Sequence, residues 1–103
     1  MIIYNTTFHA ATTVEQEFLA WMKGFYIPEA LKGGILKDPQ FSLIMARQEG
    51  DNGNSYSLQF KAGSVSDLER WYGAAGAELV EAMGKKFGQN VAGFSTIMSV
   101  IDL

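Results

Sequence analysis

Residues 41–61 read FSLIMARQEGDNGNSYSLQFK, and the fold turns on them. From Ser55 to Lys61, Tyr56, Leu58 and Phe60 alternate with Ser57, Gln59 and Lys61, the period-two signature of a half-buried strand. Phe41 to Glu49 form another such run, with Phe41, Leu43 and Met45 alternating against Ser42, Ile44 and Ala46. Between them lies Gly50-Asp51-Asn52-Gly53-Asn54, where Asn-Gly supplies the positive φ angles of a tight turn. The two runs are therefore expected to pair as an antiparallel hairpin in the middle of the chain.

On the amino-terminal side of the hairpin, residues 2–9 are rich in β-branched and aromatic types and contain no Gly or Pro, so they read as a strand. Strand alternation puts Ile2, Tyr4, Thr6 and Phe8 on one face and Ile3, Asn5, Thr7 and His9 on the other. The first face is the more apolar and should meet the core. Thr12 and Thr13 each precede an acid or amide by three residues (Glu15, Gln16), so either can open a helix with a capping box. That helix carries Val14, Phe18, Met22 and Phe25 along one stripe with Trp21 beside it. Pro28 lacks the N–H that would bond residue 24, which predicts a kink or break near Tyr26-Ile27, and Gly33-Gly34 ends the helical stretch.

On the carboxyl-terminal side, Ser66-Asp67-Leu68-Glu69 reads as a second capping box. Leu68, Trp71, Tyr72, Leu79, Val80, Met83 and Phe87 follow at mostly helical spacing, with Gly73 and Gly76 predicting a break at 73–76 and Gly88 a stop. Val91 to Ile101 close the chain as a β-rich run. Strand, helix, hairpin, helix, strand is the βαββαβ order of a ferredoxin-like α+β fold, a four-stranded antiparallel sheet with both helices on one face. Residues 1–103 are read as one domain, with no repeat or linker.

Two helices cover one face of such a sheet. The other face would carry Ile3, Asn5, Thr7, His9, Ser57 and Gln59. The outer strands are apolar on both sides; in the last one, Val91, Ile97 and Ile101 oppose Phe94, Met98 and Val100. A strand facing water on one side needs only one apolar face. Burial of the second face against another copy is thus expected, giving a homodimer.

The opening MIIYNTTF, the run Glu17-Phe18-Leu19-Ala20-Trp21-Met22-Lys23 continuing to Tyr26-Ile27-Pro28-Glu29-Ala30-Leu31, then Leu58-Gln59-Phe60, Asp67-Leu68-Glu69 and the tail Ile101-Asp102-Leu103 resemble a family of uncharacterised proteins from Bacteroidetes-type bacteria. The likeness covers essentially the whole chain. It implies a ferredoxin-like fold of the dimeric α/β-barrel kind, in which two sheets close around a central cavity, and it implies no activity.

Composition narrows the remaining choices. The net charge is −3, with acids and bases scattered, which argues against a nucleic-acid partner. There are no cysteines, so disulfides and thiolate chemistry are excluded. No apolar run approaches a membrane span, no secretory signal is legible, and a cytoplasmic location is the expectation. His9 is the only histidine; without cysteines it is a poor nucleus for a zinc site, so no metal and no cofactor are expected. The phosphate-loop, EF-hand and nucleophile-elbow patterns all fail on spacing.

Asn5, Thr7, His9, Ser57 and Gln59 would cluster on the two central strands, at the floor of any inter-subunit cavity, as convergent polar groups among apolar walls do in binding pockets. The bland reading is a wet or internally bonded sheet face. Trp21 and Tyr26 could line a mouth to such a cavity, although aromatics at helical spacing ordinarily pack in cores. The first functional expectation is a homodimeric small-molecule-binding or accessory protein. The alternatives are a cofactor-independent enzyme, monooxygenase- or isomerase-like, with His9 as base and Asn5 as oxyanion donor, and a protein-interaction module.

Overall fold

The computed structural model describes residues 1–45 and 52–103. Strand β1 (Ile2–Ala11) is followed by a 3-10 turn (Thr12–Val14), helix α1 (Glu15–Trp21), a π turn (Met22–Tyr26) and helix α2 (Ile27–Leu31). Strands β2 (Lys37–Leu43) and β3 (Gly53–Ala62) lead to α3 (Val65–Trp71), a π turn (Tyr72–Gly76), α4 (Ala77–Phe87), a 3-10 turn (Gly88–Asn90) and β4 (Val91–Ser99). All pairings are antiparallel, in the order β2-β3-β1-β4. This is the ferredoxin-like arrangement.

The alternation in β1 is carried into three dimensions. Ile2, Tyr4, Thr6, Phe8 and Ala10 are buried under the helices, while the residues between them are half-buried on the opposite face. Phe18 organises the core, meeting the rings of Phe8, Phe41, Tyr56 and Phe87 at centroid distances of 5.7, 6.4, 5.8 and 6.0 Å. A ring so enclosed stabilises the fold by about 1.5–3 kcal/mol through burial alone. Trp71, equally enclosed, ties the two helical runs together by donating its indole N–H to the Ala30 carbonyl at 2.9 Å.

Both expected interruptions are places where the helix is irregular, and neither ends it. Both helical runs stay continuous through a wide turn, in which the Ile27 N–H reaches Met22 O and the Ala77 N–H reaches Tyr72 O, five residues back. Pro28 has no N–H to give, and it follows directly on the wide turn, at the start of α2. The wide turn also rotates the apolar stripe by one residue: Tyr26 is buried and Phe25 is 41% exposed, the reverse of a regular helix. The helix stops are as expected, with Gly33 and Gly34 at positive φ after α2 and Gly88 at +55° after α4.

The caps differ from the sequence reading. Neither Thr12 nor Thr13 caps α1; that stretch is a 3-10 turn with no side-chain cap. Helix α3 starts two residues early, because Ser64 rather than Ser66 accepts the Asp67 N–H, at 3.1 Å.

Strand β2 begins at Lys37 and ends at Leu43, although the Ile44 N–H still bonds Ser55 O. A register shift between Lys37 and Gln40 accommodates Pro39, beside Asp38 at φ +52°. The part of the expected strand from 46 to 49, and turn residues 50 and 51, lie outside the described residues. Gly53 is required where it stands: at φ +145°, a Cβ would lie 2.0 Å from Ala10 O. Strand β4 ends at Ser99, two residues before the expected end, with the Val100 N–H bonding Met1 O.

Candidate functional site

The two faces of the sheet offer different chemistry. On the open face the register aligns Gln40, Gln59, Asn5 and Thr96 in one row across all four strands. The next row holds Ser42, Ser57, Thr7 and Phe94. Beyond it lie Ser55, His9 and Ala92, and on the other side Lys61, Ile3 and Met98. Asn5, Thr7, His9, Ser57 and Gln59 therefore share one surface.

These groups bond one another. The Ser57 hydroxyl donates to Asn5 Oδ1, whose amide donates to Thr7 Oγ1 at 3.3 Å. His9 Nδ1 lies 3.1 Å from Ser55 Oγ, and Gln59 Nε2 donates to Gln40 Oε1 at 3.5 Å. His9 and Asn5 stand four residues apart on one strand, about 13 Å at strand rise. A base and an oxyanion donor acting on one carbonyl must both lie within hydrogen-bond reach of it, so the expected His9/Asn5 pair does not converge. Among the described residues, no group of three His, Asp or Glu side chains is placed to hold a metal ion.

Trp21 and Tyr26 lie on the other side of the sheet. Trp21 packs against Phe25, Tyr26 and Phe87, with centroids 5.5–5.8 Å apart. Glu17 and Glu29 pair with Lys86 at 3.2 Å and Lys32 at 2.7 Å.

On the helix side, β4 runs beyond the cover of α3 and α4 and leaves a groove. Its larger lobe, about 470 Å³, lies between Ile97 and Ser95 of β4, Tyr4 of β1, Leu68 and Tyr72, and Val80 of α4. A narrower lobe of about 240 Å³ shares Tyr4, Val80 and Ser95 and reaches inward to Thr6, Phe8, Tyr26 and Met83. Gly93 keeps this lobe open, since a Cβ there would approach the Phe8 ring to 3.1 Å.

The groove wall carries a chain of hydroxyls. Thr6 Oγ1 lies 2.9 Å from Ser95 Oγ, directly opposite it in the β1–β4 ladder, and Ser95 donates to Tyr4 OH at 3.2 Å. Thr6 is the single polar residue buried with the core among the described residues. The Tyr26 hydroxyl is held neutral, its pKa pushed well up by burial first and then by Tyr4 and Tyr72. Glu69, at the rim, is the one charged residue lining either lobe. Such a surface can bind and orient an uncharged molecule; it offers no strong base and no cation.

Sequence reasoning missed Tyr4, Thr6 and Ser95. The available signal was Thr6 on an otherwise apolar strand face, matched by the small Gly93 and Ser95 on the corresponding face of β4. Tyr72 and Val80, read as apolar helix surface, are 46% and 55% exposed because they border the groove.

The sheet order, the paired helical layers and the lateral groove define a ferredoxin-like protein of α+β class. The chain belongs to the family described as Domain of unknown function (DUF4286), whose model matches residues 1–101. A search of curated proteins finds no significant match.

Solved structures share the fold. An ethyl tert-butyl ether d (EthD) family protein from Bacillus halodurans is 14% identical, with 98% of this chain and 100% of that chain covered and a TM-score of 0.73. A monooxygenase of Streptomyces coelicolor, in complex with nanaomycin D, is 13% identical over 99% and 88% of the two chains, with a TM-score of 0.69. A dimeric ferredoxin-like protein from an uncultured marine organism is 12% identical over 100% and 97%, with a TM-score of 0.67. No helix among the described residues is long and apolar enough to cross a membrane.

Proposed function

We propose that this protein is a homodimer that binds a small, uncharged, largely apolar organic molecule in the groove beneath β4. The observation that carries the reading is the hydroxyl chain Thr6–Ser95–Tyr4 set into an apolar groove whose larger lobe is about 470 Å³. Apolar walls with a few convergent polar groups are what small-molecule sites present. The fold shared with a monooxygenase that holds nanaomycin D supports a ligand of this kind.

The open face is assigned to the dimer. Several of its polar residues already bond one another, which lowers the hydrogen-bonding cost of covering them. Ile3, Phe94 and Met98, the last two 67% and 41% exposed, supply the apolar area. Each is worth about 1.5–3 kcal/mol if fully covered. The dimeric ferredoxin-like relative in fold supports the pairing. Asn5, Thr7, His9, Ser57 and Gln59 then serve the interface first, and a cavity between the two sheets is the second place to look for ligand. The bacterial, cytoplasmic setting expected from the sequence is kept in this reading. A cofactor-independent enzyme is the second reading. It uses the same groove, and the likeness to a monooxygenase supports it at the level of fold.

The test is a fluorescence titration with N-phenyl-1-naphthylamine, an uncharged apolar probe. Wild type is expected to bind one probe per chain, and Val80→Trp, which fills the zone shared by both lobes from an exposed position, to lose it. Thr7→Trp, on the open face, should leave probe binding intact while lowering the mass seen in sedimentation velocity. Loss of probe with Thr7→Trp but not Val80→Trp would move the site to the inter-sheet cavity; no binding by wild type refutes the reading.

A further inference from the structure

We infer that Tyr4 is the terminal hydrogen-bond donor of the groove and that the ligand is recognised through a neutral acceptor oxygen, a carbonyl above all. The inference rests on the groove being the ligand site. It follows from counting protons. Ser95 has one hydroxyl hydrogen and gives it to Tyr4 OH at 3.2 Å. The 2.9 Å contact between Thr6 and Ser95 must then be donated by Thr6. The chain therefore runs Thr6 to Ser95 to Tyr4, and each donation strengthens the next.

Tyr4 accepts at the end of that chain and keeps its own hydrogen. Among the described residues that hydrogen meets no acceptor, although the side chain is only 9% exposed and lines both lobes. A hydroxyl hydrogen left free at a groove wall is available to an acceptor oxygen of whatever occupies the groove.

Charge narrows its chemistry. Among the described residues, neither lobe is lined by Lys, Arg or His to stabilise an anionic acceptor such as a carboxylate or phosphate. The rim carboxylate of Glu69 disfavours one further. A ketone, aldehyde, quinone or lactone oxygen fits: uncharged, accepting, and compatible with the apolar walls of Leu68, Val80 and Ile97.

The test compares two probes, 6-propionyl-2-(dimethylamino)naphthalene and its carbonyl-free counterpart 2-(dimethylamino)naphthalene. Hydrogen bonding to the carbonyl of the first shifts its emission to the red. Wild type is expected to bind the ketone more tightly than the counterpart, with red-shifted bound emission. Tyr4→Phe, which removes one oxygen and keeps the ring, should weaken the ketone about 3- to 10-fold, shift its bound emission to the blue, and leave the counterpart unchanged. Ser95→Ala cuts the chain behind Tyr4 and should weaken the ketone about twofold; if Tyr4→Phe does not fold, a loss on Ser95→Ala and the wild-type emission decide the matter.

Two failures are distinguishable. Equal effects of Tyr4→Phe on both probes, with Val80→Trp abolishing both, overturn the inference and leave the groove as the site. Survival of both probes in Val80→Trp overturns the groove and the inference with it.

Discussion

Replacing Gly76 by alanine should destabilise this protein, although the same change in an ordinary helix stabilises. An exposed helical glycine gives way to alanine with a gain of about 1 kcal/mol. At Gly76 the added Cβ would lie 2.6 Å from Trp71 Cζ3, 2.7 Å from Tyr72 Cδ2 and 3.0 Å from Trp71 Cη2. The Trp71 ring cannot swing clear cheaply. Trp71 is 2% exposed, its indole is tethered to Ala30 O at 2.9 Å, and Tyr4 lies against it with centroids 5.6 Å apart. Overpacking of this kind costs about 1–3 kcal/mol, and a strained indole bond adds about 0.5–1.5 kcal/mol. The penalty outweighs the helical gain, leaving a net loss of about 0.5–3.5 kcal/mol. At about 4–8 °C per kcal/mol for a domain of this size, Tm should fall by roughly 2–28 °C. Gly73, in the same π turn, has open space where a Cβ would sit, with nothing within 4 Å, and is its natural control. Gly73→Ala should raise stability by up to about 1 kcal/mol. The assay is calorimetry of both variants at one fixed chain concentration, because the proposed dimer would make Tm concentration-dependent. Stabilisation by both substitutions would refute the claim that the Trp71 ring is locked.

Two more predictions concern single contacts. Ser64→Ala should cost about 1 kcal/mol in chemical denaturation, because it removes the acceptor for the Asp67 N–H, whereas Ser66→Ala should be nearly silent; the opposite ranking would restore the cap to Ser66. The Tyr56 hydroxyl is pushed up from 10.0 to about 12 by burial first, then by the hydrogen bond it donates to Glu15 and the charge of that carboxylate. With the folded value above the unfolded one, the stability it contributes is complete below pH 10 and is lost as pH rises towards 12. The difference in stability between wild type and Tyr56→Phe should shrink across that window, and a constant difference would refute it.

The order of elements was legible because β1 and β3 alternate cleanly and the hairpin between β2 and β3 is marked by turn residues. Strand ends were less so: the beginning of β2 lies in Lys37-Asp38-Pro39, where a bulge at positive φ lets a poor strand sequence pair. The π turns were hidden for a different reason. Pro28, Gly73 and Gly76 signal disruption of regular helix, and sequence alone does not separate a stop from one wide turn that keeps the helix going. That single residue of extra winding buries Tyr26 in place of Phe25. On the candidate site, alternation placed Asn5, Thr7, His9, Ser57 and Gln59 on one face, but whether they bond each other depends on side-chain geometry. The groove was illegible because it exists only where β4 extends past the helices, a consequence of how far two layers of fixed length can reach across four strands.

The bulge in β2 also governs how copies of this protein can add to one another. At the β4 edge, nine residues of regular strand offer backbone groups to any newcomer. At the β2 edge, Pro39 has no N–H to offer and Asp38 turns the backbone out of register. Strand-by-strand growth needs two competent edges per subunit, one to receive and one to extend. With the β2 edge interrupted, head-to-tail joints of β4 on β2 are disfavoured and only β4-to-β4 pairing stays open, which would close on itself as a pair and not propagate as a fibre.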